Sequence, residues 1–359
     1  MTNNKLLYTP AVFAIENEYQ IFIRLKNKAL VWVEIDGEKY FDHSNGVLCS
    51  SNAVHKVRVP AEVLEKAKHY KVCVRTLIKR LAYFSKCYDV ETEDFSFYPV
   101  PCDGELRICH LADVHGCADD AINAFKKMKD KPHLLILNGD VIDDSSTTRN
   151  FNCIYKLCDK ITHGEIPIVF SRGNHDLRGV CAEKLAQYIP VRDGKTYFTF
   201  RVGSLWGVVL DCGEDKTDDH EEYGHTVCCE EFRKDETAYL KTICKSGTYN
   251  EKGIKHRIIV SHSPFTFRQP SPFDIERDTY KEWAELAGAY IKPEFILSGH
   301  LHRCGVAQKG SELDNDGIQP CPVILGSEMN GKRGKAKFAL AEIVLNDDRF
   351  NVNFYRNGD

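Results

Sequence analysis

The stretch Leu106-Arg-Ile-Cys-His-Leu-Ala-Asp-Val-His115 decides the fold, because an apolar strand runs directly into two polar side chains. Residues 106–111 have the length and apolar character of a strand that is buried on both faces. From this strand onward, short apolar strands alternate with helical stretches, a pattern typical of an α/β domain. Strands are predicted at 106–111, 133–137, 166–170, 205–210, 256–260 and 294–297, and helices at 118–129, 150–161, 230–244 and 279–289.

Polar clusters follow five of these strands at the point where each strand ends. The binding crevice of an α/β sheet lies at the carboxyl ends of its strands, so we expect the clusters to converge. One cluster alone has an ordinary explanation, since Gly-Asp after a strand is commonly a turn or a helix cap. Five clusters in a fixed order indicate a functional site. They are Asp113-Val-His115, Asn138-Gly-Asp140, Gly173-Asn-His-Asp176, Ser261-His262 and Gly299-His-Leu-His302.

The residue types in these clusters predict a metal site. Carboxylate, imidazole and amide donors together suit divalent Mn, Fe or Zn, whereas calcium prefers mostly oxygen ligands. Two such ions would lie about 3.5–4 Å apart and share one bridging carboxylate. The pairs Asp113/His115 and His300/His302 can each face a metal if the chain stays extended there. The predicted ligands are Asp113, His115, Asp140, Asn174, His262, His300 and His302.

A glycine directly precedes two of the predicted ligands. Gly139 precedes Asp140, and Gly173 precedes Asn174. We expect the backbone at both positions to turn sharply and to come close to the site, which glycine permits.

The first hundred residues have a different pattern, with apolar residues at every second position and frequent turn residues. Several short strands separated by turns indicate a small β-sandwich. We therefore predict a fibronectin-III-like β-sandwich domain over residues 1–100 and a second domain over residues 101–359. Pro99 and Pro101 stiffen the connection between them. The predicted strands are 20–25, 29–35, 55–59 and 70–75, with a helical turn or two after Pro60.

Charge and cysteine content restrict the partners and the compartment. A net charge of -4 and a pI near 6.4 make nucleic acid an unexpected partner. We expect no membrane association, because there is neither an apolar run long enough to span a bilayer nor an apolar signal region. Fifteen cysteines, none in C-x-x-C spacing, indicate free thiols and a cytoplasmic location.

At the five clusters the sequence resembles the calcineurin-like metallophosphoesterase superfamily. The ordered pattern of that family is D-x-H, G-D-x-x-D, G-N-H-D/E, a lone H and G-H-x-H, and it is complete here between residues 105 and 305. The resemblance implies an α/β fold, a β-sandwich flanked by helices, rather than a single open sheet. It also implies a metal-dependent phosphoesterase, a hydrolase of phosphate esters. By the resemblance, Asp113, His115 and His302 hold one metal, Asn174, His262 and His300 hold the other, and Asp140 bridges the two.

A β-rich first domain followed by such a catalytic domain also resembles the arrangement of purple acid phosphatases. In that group a metal-ligating tyrosine occupies the position of Asp143, and His115 is an additional ligand here. We therefore expect a divalent metal pair without the colour of a tyrosinate bound to ferric iron. Asp143 and Asp144 are expected to orient ligands or to cap the next helix.

The expected mechanism is attack on phosphorus by a metal-bound hydroxide. His175, beside the predicted ligand Asn174, is expected to protonate the leaving oxygen, with Asp176 accepting its other ring proton. The alternative is a histidine that only supports the ligands. Arg178 and Asn174 are the predicted substrate contacts, although a plain surface arginine is equally compatible with Arg178.

The acidic run at 214–223 is typical of a solvated loop, and its position also permits a lid with His220 and His225 as substrate contacts. The predicted substrate is a small phosphate ester. The same site could serve a phosphodiesterase or nuclease, and the same fold could serve a catalytically silent scaffold. Complete retention of the ligands and of His175 argues against the scaffold. The physiological substrate, the cellular metals and the oligomeric state stay open.

Overall fold

The computed structural model describes residues 6–331, 337–347 and 349–358. The first hundred residues form short strands and one helix, as the period-two pattern predicts. The elements are β1 (Ala11–Ile15), β2 (Glu18–Ile23), β3 (Ala29–Ile35), β4 (Glu38–Phe41), β5 (His43–Ser44), β6 (Val47–Leu48), β7 (His55–Pro60), α1 (Ala61–Ala67), β8 (His69–Lys79) and β9 (Lys86–Ser96).

Strands and helices alternate between Leu106 and Ser298, apart from three consecutive strands between Ile168 and Leu210, and four further strands follow from Arg303. The elements are β10 (Leu106–Leu111), α2 (Ala118–Phe125), β11 (Leu134–Asn138), α3 (Asn152–Thr162), β12 (Ile168–Ser171), β13 (Phe198–Val202), β14 (Leu205–Leu210), α4 (Cys229–Ser246), β15 (His256–Ser261), α5 (Arg277–Leu286), β16 (Phe295–Ser298), β17 (Arg303–Ala307), β18 (Val323–Asn330), β19 (Lys337–Asn346) and β20 (Arg349–Arg356). Short 3₁₀ turns lie at His175–Leu177, Ala182–Gln187, Glu221–Tyr223 and Thr248–Asn250, and a π-helical turn, Ala287–Ile291, continues α5.

The large sheet folds over on itself at β18. This strand pairs with β16 through Val323–Leu325 and with β19 through Glu328–Asn330, so it belongs to two half-sheets. The first half-sheet has the order β18-β19-β10-β11-β12-β1-β2-β7, with β20 beside β19. The second half-sheet has the order β13-β14-β15-β16-β18, with β17 beside β18.

Alternate residues of the strands fill two different cores. Ile108 and Ile136 of the first half-sheet share one core with Ile258 and Val260 of the second, so the half-sheets pack face to face. Their neighbours on the other face pack against helices: the outward residues of β10 and β11 against α2 and α3, and those of β14 and β15 against α4 and α5. The predicted fold class, a β-sandwich flanked by helices, is confirmed.

Parallel pairing sets the position of the site. β10, β11 and β12 are parallel to one another, and so are β14, β15 and β16. Parallel strands have their carboxyl ends at the same edge, so the loops that follow them gather there. The five polar clusters lie on these loops.

The strands of residues 1–100 lie in three sheets, β1-β2-β7, β4-β3-β8-β9 and β5-β6. The first of these continues the large sheet, since Phe13 of β1 pairs in parallel with Ile168 of β12. Lys56 on β7 reinforces this junction by donating to the carbonyl oxygens of Ala186 and Ile189 at 2.7 and 3.0 Å. The division into domains at residue 100 stays a prediction.

All fifteen cysteines are free thiols. Each helix within the described ranges is too short or too polar to cross a bilayer.

Candidate metal centre

The loops after β10 and β11 run side by side and carry the first three predicted ligands. The backbone N–H of Asp113 donates to the carbonyl of Gly139 at 3.1 Å, and that of His115 donates to the carbonyl of Asp140 at 2.9 Å. These bonds continue the pairing of the strands beyond their ends. They hold Asp113, His115 and Asp140 at one edge of the first half-sheet.

The backbone of these ligands is left-handed rather than extended, which corrects one premise of the sequence analysis. Asp and His tolerate this region better than most residues, but each instance still costs on the order of 1–3 kcal/mol. The side chains converge because of these turns and not because of strand alternation. The φ angles are 52° at Asp113, 45° at His115, 50° at Asp140, 65° at His300 and 50° at His302.

Asp113, His115 and His302 form the first group of potential ligands. Nε2 of His115 lies 3.1 Å from Nε2 of His302, and Nε2 of His302 lies 3.6 Å from Oδ1 of Asp113. Two imidazole nitrogens this close, next to a carboxylate, need a proton or a cation between them. Burial lowers the pKa of His115 to about 3, so its ring is neutral at pH 7.

Asp140, His262 and His300 form the second group, and Asn174 lies beside it with Oδ1 3.1 Å from Nδ1 of His300. Burial lowers the pKa of His300 to about 4 and leaves this ring neutral as well. Asn138 orients His262: Nδ1 of the ring donates to its carbonyl at 2.7 Å, which directs Nε2 toward Asp140. Hydrogen bonding of the distal ring nitrogen is the usual support of a metal-ligating histidine.

Asp140 stands between the two groups. Its Oδ2 lies 3.1 Å from Nε2 of His262 and 3.8 Å from Nε2 of His115. Burial opposes ionisation of Asp140, but His262 lowers its pKa below the ordinary value. Burial also opposes charge on His262, yet Asp140 and Asp113 raise the pKa of its ring to about 10. A divalent cation at this place would replace the proton that the ring otherwise holds.

Unpaired buried atoms fit a metal at this position. Nε2 of His262 and Oδ2 of Asp113 are buried and make no hydrogen bond of good geometry among the described residues, although Nε2 of His262 faces Oδ2 of Asp140 at 3.1 Å. Burial raises the pKa of Asp113 to about 6, because a carboxylate held away from water is costly to ionise. Buried polar atoms are nearly always satisfied, so these two point to a cation that accepts their lone pairs.

The glycines before the ligands are needed for close approach, as predicted. A Cβ on Gly139, whose φ is +78°, would lie 2.4 Å from Cγ of His262. A Cβ on Gly173 would lie 2.3 Å from Oδ1 of Asp140. Larger residues at either position would displace a predicted ligand.

His175 is attached to the centre through its backbone and faces it with its ring. Its N–H donates to Oδ1 of Asp140 at 2.8 Å. Its ring packs edge-on against that of His115 with centroids 4.5 Å apart. Nδ1 donates to the carbonyl of Asp143 at 2.9 Å, so that carbonyl fixes the orientation of the ring.

The role predicted for Asp176 is wrong in its detail, because its carboxylate is directed at the backbone of the loops. Oδ2 accepts from the N–H of Gly173 at 2.8 Å and from that of Asp140 at 3.2 Å. Burial raises the pKa of Asp176 to about 7. Asp176 holds together the loops after β11 and β12. The carbonyl of Asp143 orients the ring of His175, which is the function that was expected of Asp176.

Arg178 lies beside His175, with Nη1 3.4 Å from Nε2 of that ring. Three acidic residues of the 214–223 loop hold it, and one of them, Glu222, lies 3.3 Å from Nη1. Glu214 accepts from its Nε at 3.1 Å and from its Nη2 at 2.9 Å, and Asp215 accepts from Nη2 at 3.3 Å. Asp215 also accepts from Nδ2 of Asn174 at 3.4 Å. Sequence reasoning assigned this acidic loop no contact with Arg178.

Other predicted residues take smaller parts. Oδ1 of the exposed Asp143 lies 3.6 Å from Nδ1 of His115, where it can orient that ring. Asp144 accepts from the N–H of Ser146 at 2.7 Å and supports a turn. His220 accepts from the N–H of Glu222 at 3.2 Å and begins the short turn at 221–223. His225 is an exposed loop residue with a φ of 62°.

A model of the calcineurin-like phosphoesterase family matches residues 106–304, which include every one of the predicted ligands. The chain belongs to this family. It is a metal-dependent phosphoesterase, a hydrolase of phosphoric esters.

The serine/threonine-protein phosphatase CPPED1 of Mus musculus is similar to this calcineurin-like phosphoesterase. It is 25% identical over 250 residues, which are 66% of this chain and 72% of the mouse protein. The protein of the same name from Danio rerio is 25% identical over 223 residues, or 59% of this chain and 67% of its own length.

Two solved structures share the fold. Purple acid phosphatase PPD1 from yellow lupin superposes with a TM-score of 0.63 at 10% identity, over 99% of this chain and 73% of the lupin chain. PhoD superposes with a TM-score of 0.54 at 12% identity, over 96% of this chain and 85% of its own. At this identity the likeness concerns the fold alone.

We predict that Gly139→Ala disrupts the centre through steric conflict with His262. The added Cβ must displace the ring, so we expect bound metal to fall and the free energy of unfolding to drop by about 1–3 kcal/mol. Elemental analysis and denaturant unfolding measure the two effects. Gly104→Ala is the matched control, since Gly104 has a φ of +81° with no atom near its added Cβ. Equal metal loss in both variants would contradict the steric explanation.

Proposed function

We propose that this phosphoesterase hydrolyses phosphate monoesters at two divalent metal ions. The observation that carries the proposal is the position of Asp140 between two groups of ligands, with Oδ2 3.1 Å from His262 and 3.8 Å from His115. One carboxylate shared by two metals is the usual construction of a dinuclear hydrolase.

The two groups suggest how the ligands divide. Asp113, His115 and His302 would hold one ion, and His262, His300 and Asn174 would hold the other, with Asp140 shared. Mixed nitrogen and oxygen donors favour Mn, Fe or Zn over calcium. When bound, such ions neutralise charge on the phosphoryl oxygens and lower the pKa of water.

His175 is placed to protonate the leaving oxygen. Nδ1–H of His175 donates a hydrogen bond to the carbonyl of Asp143, so Nε2 is the ring nitrogen from which a proton would be transferred. The bond from its N–H to Asp140 keeps the ring at a fixed distance from the shared carboxylate. A general acid must be held within hydrogen-bond reach of the leaving oxygen, and this attachment provides the necessary rigidity.

Arg178 is positioned near a phosphoryl oxygen of the substrate. Glu214 and Asp215 hold Nε and Nη2 of its guanidinium. Nη1 lies 3.4 Å from Nε2 of His175 and 3.3 Å from the carboxylate of Glu222, which a phosphoryl oxygen would have to replace. Arginine held in this way loses little freedom when it binds an anion. A cavity of about 700 Å³ opens beside His115 and Asp143 and could take the remainder of the substrate.

The named relatives suggest the substrate class. The mouse and zebrafish proteins are called serine/threonine-protein phosphatases, so we propose a monoester of an alcohol, such as phosphoserine or phosphothreonine, as the substrate. The net charge of -4 favours a small ester or a peptide over a nucleic acid. The free thiols support a reducing, cytoplasmic setting.

Hydrolysis of an aryl phosphate monoester and of its diester, with Mn, Fe or Zn, tests the proposal. We expect faster turnover of the monoester, loss of activity after chelation, and recovery when metal is restored. Asp140→Asn should reduce kcat/KM by at least about 100-fold, since even groups behind a ligand cost 10- to 100-fold. Asp278→Asn, on the surface of α5, is the control. Faster turnover of the diester would replace the monoesterase proposal with a diesterase, and activity that survives chelation would end both.

His175→Ala should reveal the proton donor through the leaving group. An alkyl phosphate needs protonation of its leaving oxygen far more than a nitrophenyl phosphate does. We expect kcat to fall by about 10²–10⁴-fold for the alkyl ester and much less for the nitrophenyl ester. An equal decrease for both esters would assign His175 to support of the ligands instead.

A further inference from the structure

The hairpin between β8 and β9 ends in an exposed apolar tip, far along the chain from the metal ligands. Tyr83 is 80% exposed, Phe84 is 90% exposed and Leu81 is 51% exposed. Oγ of Ser85 accepts from the N–H of Leu81 at 2.9 Å and donates to its carbonyl at 3.0 Å, which closes the loop. Phe84 has a φ of 55°, a conformation that bulky residues rarely adopt. These hydrogen bonds hold the loop at the tip in a conformation that leaves its apolar side chains exposed to water.

The strand that follows the tip is an uncovered edge. β9 has eleven residues and pairs with β8 on one side. Among the described residues no strand pairs with its other side. Tyr88 and Val90 add exposed apolar surface, at 44% and 37%. A long edge with unpaired backbone groups is a template for another strand.

Charge divides this edge into two parts of opposite sign. Lys79, Arg80 and Lys86 surround the tip, and residues 76–88 contain neither Asp nor Glu. The next six residues, 89–94, contain four acidic side chains and no basic one. The edge is basic at one end and acidic at the other.

We propose that the β9 edge and the tip bind a second copy of this chain. Antiparallel pairing of two β9 strands about a two-fold axis near Tyr88 places each basic tip beside the acidic end of its partner. The same contact then occurs twice, as a two-fold interface requires. The exposed side chains of Tyr88 and Val90 lie near the axis, and those of Tyr83 and Phe84 lie beside residues 92–93 of the partner copy. The pairing removes part of this apolar surface from water.

The charges favour this occupant over a polyanion. A nucleic acid or an anionic membrane would be attracted by the basic tip and repelled by residues 89–94 on the same strand. A second copy offers acidic residues to the basic tip and a basic tip to the acidic residues. The inference does not depend on the proposed function, because its residues lie in the first hundred and carry no predicted ligand.

Sedimentation equilibrium of the full chain tests the pairing. We expect a species of twice 40.9 kDa, and at least about a tenfold larger dissociation constant in Tyr83→Ser and Phe84→Ser. Val180→Ser is the control, because Val180 is 78% exposed on another surface and should leave the dimer unchanged. Circular dichroism verifies that each variant is folded. A chain that stays monomeric up to about 1 mM, or a dimer unaffected by both tip variants, overturns the proposal.

A charge exchange tests the antiparallel arrangement itself. Across an axis at Tyr88, Lys86 lies opposite Val90 of the partner copy, between Asp89 and Glu91. Lys86→Glu therefore places acid beside acid in the homodimer, and the double variant Asp89→Lys with Glu91→Lys places base beside base. We expect both proteins to dimerise at least about tenfold more weakly than the natural chain. An equimolar mixture should recover the natural affinity, since each end then meets the opposite charge. A mixture as weak as its components rejects the two-fold pairing.

Discussion

The carboxylate of Asp140 accepts the N–H of His175 at 2.8 Å through Oδ1 and faces Nε2 of His262 at 3.1 Å through Oδ2. His175 follows β12 in the first half-sheet, and His262 follows β15 in the second. This buried anion therefore joins loops from both halves of the sandwich. The backbone N–H of Asp140 donates to the carboxylate of Asp176. The position of Asp140 is therefore fixed through its backbone as well as through its side chain.

The other predicted ligands are held around Asp140 in conformations that cost free energy. Five predicted ligands have a left-handed backbone, and the buried Oδ2 of Asp113 has no hydrogen-bond partner within the described ranges. Each of these features is unfavourable in a protein without metal. Pairing of the loops, together with the shared core of the two half-sheets, holds the ligands in place. Metal bound to the folded chain alone would return part of this free energy as stability.

The sequence predicted the parts of the fold with strong periodicity, and it predicted the strand ends that carry polar clusters. The bounds of β3, β10 and β14 agree with the predicted ranges 29–35, 106–111 and 205–210. β9 was not predicted, because an edge strand with solvent on most of its surface lacks apolar alternation. The switch of β18 between half-sheets was also not predicted, since it depends on pairing with strands distant along the chain.

The candidate site likewise has features that the sequence predicted and features that it did not. Residue type and order were enough to predict side chains that the structure brings together, whereas their turns and supports depend on tertiary contacts. Asn138 could not be recognised as the support of His262 without the adjacency of the loops after β11 and β15. Asp176 was misassigned because Gly173 and Asp140 provide closer donors than the ring of its neighbour His175.

Anomalous diffraction from crystals grown with Mn²⁺ tests the central claim, two metals that share Asp140, most directly. We expect two peaks about 3.5–4 Å apart, each within bonding distance of a carboxylate oxygen of Asp140. One peak should lie against Asp113, His115 and His302, and the other against Asn174, His262 and His300. A single peak, or two peaks of which one lies away from Asp140, would contradict the claim.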